Sequence, residues 1–452
     1  MASSRALSHS TLLHHVVSIL RAHLPLNSRV CVGLSGGRDS VVMLHLLSRA
    51  KTEIPIEVSA IHVNHQISPN AQRWADFCSE LCAQLGVPLT IERVDVSRVS
   101  GQGLEASARN ARYAAYERVD AAAIVLGHHR NDQAETVLLQ ALRGAGLRGI
   151  SAMPVVKTLG KNQIILRPLL DVAPRILSDY ADENNLAWIT DESNDDRNYT
   201  RNFLRHEIFP NLEKHIPQSV QSLTRLSAHA AEAQLLLDDL AMLDRAKVVC
   251  GERLSLSRLL SLPARRAKNL LRQWFAEKEI PMTNAAQLDE ILQQLSARHA
   301  DDQTEIRWGG IRLCCYCDEI YFMTGERSTN GSWQIGWQNE SALVLPGSSG
   351  VLRAEKKIGE GIAVNFLAGK KITVRSRAGG EQLALSASRP RRSLKNLLQE
   401  ARIPPWRREI MPLLFCDETL IFAPEIGVDF NSAARDREPG WLFVWYTSGG
   451  EA

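Results

Sequence analysis

Two patterns of apolar residues alternate along the first part of the chain. Short β-branched runs predict strands at 30–34, 56–63, 89–94, 122–126 and 164–166. Apolar residues three or four positions apart predict helices over 10–20, from 40 onwards, and over 71–85, 104–119, 132–142 and 174–184. This alternation predicts an α/β fold, a parallel sheet flanked by helices, in which ligands bind at the carboxyl ends of the strands.

The pattern changes after about residue 215. Residues 218–249 have uninterrupted helical spacing, 254–295 predict short helices, and 305–323 are strand-like, with Cys315 and Cys317 on one face and Cys314 on the other. We therefore predict four parts: an α/β domain at 1–215, a mainly helical domain at 216–330, a linker at 331–370 and a small α+β domain at 371–452. Residues 325–361, rich in Ser, Gly and Asn, are typical of strands and loops that lead to the last part.

Composition excludes several classes of protein. No apolar run approaches the roughly 20 residues that cross a bilayer, and the amino terminus lacks the apolar block of a signal peptide. A cytoplasmic location is expected. The eight cysteines include one C-x-x-C spacing, Cys314 with Cys317, and no second pair, so free thiols are expected. A net charge of +3 does not indicate nucleic-acid binding by itself, so a basic surface must be local.

The first stretch with chemical potential follows the strand at 30–34 and reads Ser35-Gly36-Gly37-Arg38-Asp39-Ser40. Two glycines let the backbone turn sharply and approach a ligand, and successive amides at the start of a helix hold phosphate. Ser35 and Ser40 add hydroxyl donors, and Asp39 is better suited to a magnesium ion than to phosphate itself. An ordinary turn is the alternative for a bare Gly-Gly.

A second stretch follows the strand at 122–126 and contains His128, Asp132 and Glu135. The two acids are three positions apart at a helix start and share one face. Their convergence on a phosphate site suggests either a metal ion or capture of an ammonium group. A helix cap with favourable dipole charges explains Asp132 equally well.

Together these two stretches give the chain a specific resemblance to a known enzyme family. Ser-Gly-Gly-x-Asp-Ser after a first strand is the signature of the PP-loop ATP pyrophosphatases, whose fold is adenine nucleotide alpha hydrolase-like. Within them the chain closely resembles the tRNA(Ile)-lysidine synthetase family. The segments that carry the resemblance are 35–40, 62–65, 104–109 with 112–113, 128–136 with 143–144, 167–170, 191–194 with 201–205, and, in the tail, 375–381, 394–395 and 403–406.

Two departures stand out. Gln66-Ile67-Ser68 replaces the usual Gly-Leu-Arg, which puts a phosphate-facing arginine in doubt, and Asn131 replaces the first acid of the second motif. The second change leaves Asp132 as the expected metal ligand.

The resemblance implies an ATP-dependent carbon–nitrogen ligase acting on the wobble cytidine of an isoleucine tRNA with a CAU anticodon. ATP adenylates the C2 oxygen of the base, and free L-lysine then displaces AMP to give lysidine. The implied cofactors are ATP and Mg²⁺, and the implied partners are the tRNA and lysine, without a membrane. The oligomeric state stays open, a homodimer included.

By resemblance, each group of site residues takes a role. The ATP-binding residues are Ser35, Gly36, Gly37, Arg38, Asp39, Ser40, His62, Arg109 and His128. The catalytic residues are Asp39, His128, Asp132, Glu135 and Arg201, with Asp39 and Asp132 as metal ligands. The lysine or tRNA ligands are Asp132, Glu135, Arg112, Arg201, Arg205, Arg391, Arg392, Lys395 and Trp406. Asp132, Glu135 and His128 all remain candidates for the base that deprotonates the amine.

The tail combines Arg389, Arg391, Arg392, Lys395, Arg407 and Arg408 with Trp406. Cations follow phosphates and an aromatic face stacks on an exposed base, so an RNA-binding role is expected, although such charge runs are usually solvated surface.

Three alternative functions would require different sequence features. An amide-forming PP-loop synthetase takes ammonia from a glutaminase with a nucleophilic cysteine, and the sequence has no candidate for that cysteine. A tRNA thiolase needs paired cysteines near the site, and the one C-x-x-C spacing is far along the chain from residues 35–40. A non-catalytic nucleotide-sensing RNA-binding protein would be expected to lack Asp39, Asp132 or Glu135, and all three are present.

Overall fold

The computed structural model describes residues 9–96, 104–190, 197, 199–251, 253–280, 284–297, 304–324, 331–347, 349–388 and 390–447. Asp191, Ser193, Asn194 and Arg389 lie outside this range. The chain divides into two compact units, residues 1–236 and 237–452.

The first unit alternates helices with six strands. Its elements are α1 His9–His23, β1 Ser28–Gly33, α2 Arg38–Ala50, β2 Ile56–Asn64, α3 Ala71–Gln84, β3 Leu89–Arg93, α4 Leu104–Glu117, β4 Ala123–Val125, α5 Arg130–Leu142, α6 Leu147–Ile150, β5 Val156–Leu159, β6 Gln163–Leu166, α7 Pro174–Glu183, α8 Thr200–Phe203, a π-helical turn Leu204–Ile208, α9 Phe209–His215 and α10 Ser219–Val248, which continues into the second unit. The predicted α/β order is confirmed.

The strands form one sheet in the order β3-β2-β1-β4-β6-β5. All neighbouring strands are parallel except β5, which pairs antiparallel with β6 at the edge. The sequence prediction lacked this edge hairpin, because β5 has only four residues and two of them, Lys157 and Thr158, are exposed.

Alternate residues of the strands support two apolar layers. On one face, Val30 and Val32 pack with α1, α2, α3 and α7. On the other face, Cys31, Ile124 and Ile165 pack with Tyr116 of α4. A sheet covered on both faces leaves its carboxyl edge as the place where polar side chains can gather, and both chemical stretches leave β1 and β4 at that edge.

The second unit contains the remaining helices and strands. They are β7 Val249–Cys250, β8 Arg253–Ser255, α11 Leu256–Ser261, α12 Ala264–Glu277, α13 Ala285–Ser296, β9 Thr304–Trp308, β10 Ile311–Tyr316, β11 Glu319–Thr324, β12 Gln334–Gly336, β13 Ala342–Val344, β14 Val351–Ile358, β15 Ile362–Ala363, α14 Val364–Leu367, β16 Ile372–Arg375, β17 Gln382–Leu383, β18 Arg392–Ser393, α15 Leu394–Glu400, α16 Pro405–Ile410, β19 Leu413–Cys416, β20 Thr419–Ala423, β21 Gly427–Val428 and β22 Pro439–Tyr446. No helix of the described ranges is long and apolar enough to span a bilayer.

These elements build two cores. Helices α11–α13 pack on the antiparallel sheet β7-β8-β11-β10-β9, and β12–β22 form the sheets around the core of the tail. The middle part is thus helical with a sheet, and the tail is α+β.

Two local expectations can be compared with the structure. Residues 331–370, predicted to be a linker with strands and loops, do contain strands, and all eight residues of β14 pair with β22. The signal for this pairing is weak because Glu355, Lys356 and Lys357 are exposed. Cys317 lies in the turn after β10 at φ 47°, whereas Cys314 and Cys315 are both buried, so the predicted alternation of faces is wrong beyond Tyr316.

Candidate active site at the carboxyl edge of the sheet

The phosphate-type loop lies between β1 and α2, as predicted. Gly36 has a φ of +88°, a left-handed conformation that favours glycine. The Ser35 amide donates to Ser40 Oγ at 3.2 Å, and Ser40 Oγ donates to the Gly37 carbonyl at 2.8 Å. The two serine hydroxyls, 3.1 Å apart, therefore hold the turn in shape, a role that the sequence prediction did not give them.

Gly127, which follows β4, touches this loop from the second stretch. A Cβ atom on Gly127 would lie 2.5 Å from the backbone oxygen of Asp39. Only glycine permits such an approach, so Gly127 brings the strand end carrying His128 against the start of α2.

His62 supports the same loop from β2. Its side chain is buried, and its Nδ1 lies 2.9 Å from the carbonyl of Leu34, to which it donates. Burial lowers the pKa of His62, so the ring is neutral at pH 7. The structure therefore places His62 behind the predicted ATP site, where it holds the strand that enters the loop.

His129 joins the two stretches, and sequence reasoning missed it. Its Nε2 lies 3.5 Å from Asp39 Oδ2. It also caps α5: its backbone amide donates to Asp132 Oδ2 at 2.9 Å, and its Nδ1 accepts from the Asp132 amide at 3.4 Å. Burial alone would lower the pKa of His129, but the hydrogen bond to Asp39 and the charge of Asp132 outweigh burial and raise it.

Asp132 and Glu135 bind two arginines from the segment 200–208. Arg201 donates to Glu135 at 2.9 Å and to Asp132 Oδ1 at 3.0 Å. Arg205 donates to Glu135 at 2.7 and 2.9 Å and to Asp132 Oδ1 at 3.1 Å. We call these four residues the acid–arginine cluster. Burial opposes ionisation of Asp132, but His129 and Arg201 lower its pKa to about 2, so it stays charged.

His128 lies beside the acid–arginine cluster and is partly buried. Its Nδ1 has no hydrogen-bond partner among the described residues. Burial, helped by the nearby charges of Arg167, Arg201 and Arg109, lowers the pKa of His128 to about 3. The ring is therefore neutral at pH 7, and one buried nitrogen has no hydrogen-bond partner among the described residues.

The donor set suits magnesium delivered with a nucleotide better than a resident metal. No three His, Cys, Asp or Glu side chains in the described ranges are grouped to hold an ion. Asp39 is partly exposed at the loop, with Arg38 3.0 Å from its Oδ1. One such carboxylate fits Mg²⁺ whose other ligands are phosphate oxygens and water. Asp132 is buried, and both of its oxygens accept hydrogen bonds from Arg201, Arg205 or His129. Because Asp39 is the more exposed of the two carboxylates, this arrangement favours Asp39 as the ligand.

Arg109 and Arg112 project from α4, and both are exposed. Arg112 donates to Nε2 of His65 at 3.4 Å. Arg109 donates to the Tyr113 hydroxyl at 3.0 Å. The departure at 66–68 also has a visible consequence: Gln66 takes a φ of 55°, which favours glycine, and Ser68 Oγ accepts from the Asn70 amide at 3.1 Å within a local turn.

Most predicted RNA ligands of the tail have partners within the second unit. Arg391 pairs with Asp429 at 2.7 Å, and Arg392 pairs with Glu400. The Trp406 ring makes edge contacts with Tyr316 and Tyr321, at centroid distances of 6.4 and 5.0 Å. Lys395 is exposed on α15. The structure thus places Trp406 in packing and leaves Lys395 on the surface.

Comparison with known proteins adds an independent finding. Residues 11–212 match the PP-loop domain family, 254–321 the TilS substrate binding domain and 372–445 the TilS substrate C-terminal domain. The chain is 40% identical over 450 residues to a tRNA(Ile)-lysidine synthase of Nitrosomonas europaea, covering 99% of this chain and 98% of the relative. It is 37% identical over 417 residues to the enzyme of that name from Coxiella burnetii, covering 92% of each chain.

A solved structure is also similar to part of the chain. It is the U34-tRNA thiolase NcsA of Methanococcus maripaludis, 20% identical with a TM-score of 0.42, covering 49% of this chain and 79% of that one. This likeness is too weak to bear on activity. The full-length matches, the three domain matches in the same order and the loop at 35–40 agree with one another. On these grounds the chain belongs to the tRNA(Ile)-lysidine synthase family.

Proposed function

We propose that this chain joins free L-lysine to C2 of the wobble cytidine of an isoleucine tRNA with a CAU anticodon, with release of AMP and pyrophosphate from ATP. The observation that carries the proposal is the contact between two sites. The loop at 35–40 is linked through His129 to the acid–arginine cluster, with Nε2 of His129 3.5 Å from Asp39 and its backbone amide 2.9 Å from Asp132.

The first step requires that the phosphates of ATP are bound and their charge is stabilised. The backbone amides of the loop lie at the amino-terminal end of α2, where they stabilise anions such as the pyrophosphate leaving group. Asp39 would hold Mg²⁺, which supplies positive charge to the phosphates. The C2 oxygen of the cytosine attacks the α-phosphate, and AMP on that oxygen then serves as the leaving group of the second step.

The second step needs a site for an amino acid with charges at both ends. The acid–arginine cluster offers two carboxylates for an ammonium group and two guanidinium groups for a carboxylate. The attacking amine has a reference pKa of about 10.4 and must lose a proton first. Asp132, Glu135 and His128 stay the candidates for its acceptor. Since the pKa of Asp132 is about 2 and that of His128 about 3, both are weak bases in this arrangement.

The parts beyond the first domain are proposed to bind the tRNA. The predicted division at 215, 330 and 370 stays a proposal, as do the cytoplasmic location and a homodimer; sedimentation of the purified protein measures the oligomeric state. A tRNA thiolase or an amide-forming synthetase is the alternative reaction class, and the same assay separates them.

The test supplies the purified protein with ATP, Mg²⁺, labelled lysine and the CAU-anticodon tRNA. We expect label in the tRNA at the wobble cytidine, with one AMP per lysine. Asp39→Asn should lower AMP formation at least a hundredfold, because the loop loses its metal ligand, while tRNA binding by filter assay stays near wild type. Turnover with ammonia or a sulfur donor in place of lysine would refute the proposal. Equal loss of tRNA binding in Asp39→Asn would mean that the loop is structural.

A further inference from the structure

Three cationic side chains gather around Tyr113 of α4, outside the loop and the acid–arginine cluster. The Tyr113 hydroxyl accepts from Arg109 at 3.0 Å and from Arg167 at 3.2 Å. Cζ of Arg109 lies 4.9 Å from the ring centroid, and Nζ of Lys157 lies 5.5 Å from it. Cations over an aromatic ring are favourable, but three like charges around one ring repel each other unless an anion is present.

Arg167 makes this arrangement unusual. Its side chain is 1% exposed, and its other contact is a 2.9 Å hydrogen bond to the Pro154 carbonyl. Its Nε has no partner, and no carboxylate of the described ranges forms an ion pair with Arg167, Arg109 or Lys157. Burial of a cation without a counter-charge is unfavourable, so the fold retains this one against an electrostatic penalty.

The other two cations face solvent. Arg109 and Lys157 are exposed, whereas Tyr113 is partly buried between them and Arg167. Lys157 is in β5 opposite Ile165 of β6, and Ile165 packs on the α4 face of the sheet. The group therefore has two exposed cations, Arg109 and Lys157, and one buried cation, Arg167, on the inner side of Tyr113.

The group lies at the carboxyl edge of the sheet, as the loop does, because Arg167 directly follows β6. Arg109 and Arg167 lie near His128, whose pKa is lowered by burial and also by their charges. Lys157 is farther from the loop: three strand spacings divide β5 from β1 in the order β1-β4-β6-β5, which at about 4.8 Å each gives about 14 Å. Phosphates held by the loop do not extend over that distance, whereas an RNA strand carries a phosphate at every nucleotide.

We propose that Arg109 and Lys157 form a second phosphate site, which binds a backbone phosphate of the tRNA anticodon loop. Tyr113 and Arg167 are positioning residues. The Tyr113 hydroxyl orients the guanidinium group of Arg109, and the hydrogen bond from buried Arg167 holds that hydroxyl in place. The site rests on the proposed function, since it supposes a tRNA substrate. It gives that RNA an anchor beside the chemistry, apart from contacts made by the tail.

The experiment measures tRNA binding to the full chain over a range of salt concentrations. Each phosphate contact in single-stranded RNA contributes about 0.7 to the slope of log K against log salt. Lys157→Gln should therefore weaken binding about three- to tenfold at physiological salt and reduce the slope by about 0.7. Lys157→Arg should restore both. Lys161→Gln is the matched control, because Lys161 is exposed in the same hairpin at the opposite end of β5.

Tyr113→Phe tests the positioning role, because it keeps the ring and deletes the shared acceptor. We expect a rise in KM for tRNA of about threefold, and no further loss when it is combined with Arg109→Gln. If Lys157→Gln raises KM for ATP instead, the site holds a nucleotide phosphate, and the RNA assignment is wrong. The proposal is also overturned if the salt slope of tRNA binding in Lys157→Gln equals that in the control Lys161→Gln. Because binding is measured without turnover, a wild-type protein that binds tRNA but fails to incorporate lysine defeats the proposed function alone.

Discussion

Two consecutive histidines at the end of β4 have opposite surroundings. His128 is neutral with a free Nδ1, while His129 connects Asp39 to the helix cap of α5. The sequence predicted that both histidines lie at the sheet edge but assigned a role only to His128. The identity of neighbouring residues does not indicate which of two adjacent rings contacts Asp39, 90 residues earlier in the chain. The short distance depends on Gly127, where a Cβ would meet the Asp39 backbone at 2.5 Å.

The low pKa of His128 predicts how stability depends on pH. Its pKa falls from 6.5 to about 3 on folding, so the unfolded chain takes up a proton that the folded chain does not. This contribution to stability is fully present above pH 6.5 and is lost as pH falls from 6.5 towards 3. In His128→Asn the melting temperature should therefore fall less steeply over that range than in wild type. Thermal unfolding at pH 7.5, 6, 5 and 4 measures the difference.

The control is His14→Asn, since His14 is exposed on α1. It should follow the wild-type curve. Parallel curves for wild type and His128→Asn would show that the His128 environment does not exclude the proton.

At the scale of elements, the segment 200–208 completes the site built by α5. The sequence correctly put Asp132 and Glu135 on one face of a helix, because three residues make nearly one turn. It named Arg201 and Arg205 by resemblance only, since they come from an α-helical turn and a π-helical turn more than 60 residues away. Such pairings follow from packing and not from local periodicity.

Removing one arginine tests how much the cluster stabilises the fold. Arg205→Met keeps most of the volume but leaves Glu135, which is 3% exposed, with fewer charged partners. We expect a loss of about 2 kcal/mol in the free energy of unfolding and a higher KM for lysine. Urea denaturation followed by circular dichroism measures the first. Arg175→Met is the control, because Arg175 is exposed and its 3.9 Å pair with Asp179 contributes little; equal losses in both variants would contradict the expectation.

At the scale of the whole molecule, the two units differ in how well the sequence predicted them. In the first unit, long apolar runs buried on both sheet faces placed most element ends within about two residues of the prediction, as at α3, 71–84 against 71–85. In the tail, β14 and β22 pair over eight residues, yet one face carries exposed Arg353 and Glu355. Strands joined across some 90 residues leave little local signal for their pairing, so strands and loops were predicted there without the sheet that they form.

Trp406 shows the same limit in the tail. A tryptophan followed by two arginines suggests base stacking, but the ring packs against Tyr316 and Tyr321. Trp406→Ala should therefore lower the free energy of unfolding by about 3 kcal/mol, and Trp406→Phe should restore about half of it. Lys395→Gln should leave stability unchanged and reduce the salt slope of tRNA binding by about 0.7 to 0.9. A tRNA-binding defect in Trp406→Ala without any loss of stability would restore the stacking interpretation.

The pairing within the acid–arginine cluster has a consequence for selectivity. The acids and arginines of the empty cluster already form ion pairs with each other. The binding free energy of an incoming molecule is therefore only the difference between its ion pairs with the cluster and the internal ion pairs that it replaces. A diamine such as cadaverine replaces the guanidinium groups but leaves them without an anion, and norleucine lacks the second ammonium group. At the proposed lysine site, a zwitterion with a side-chain amine would exchange both sets at once, so the internal ion pairs would disfavour such half-matched molecules without any steric barrier.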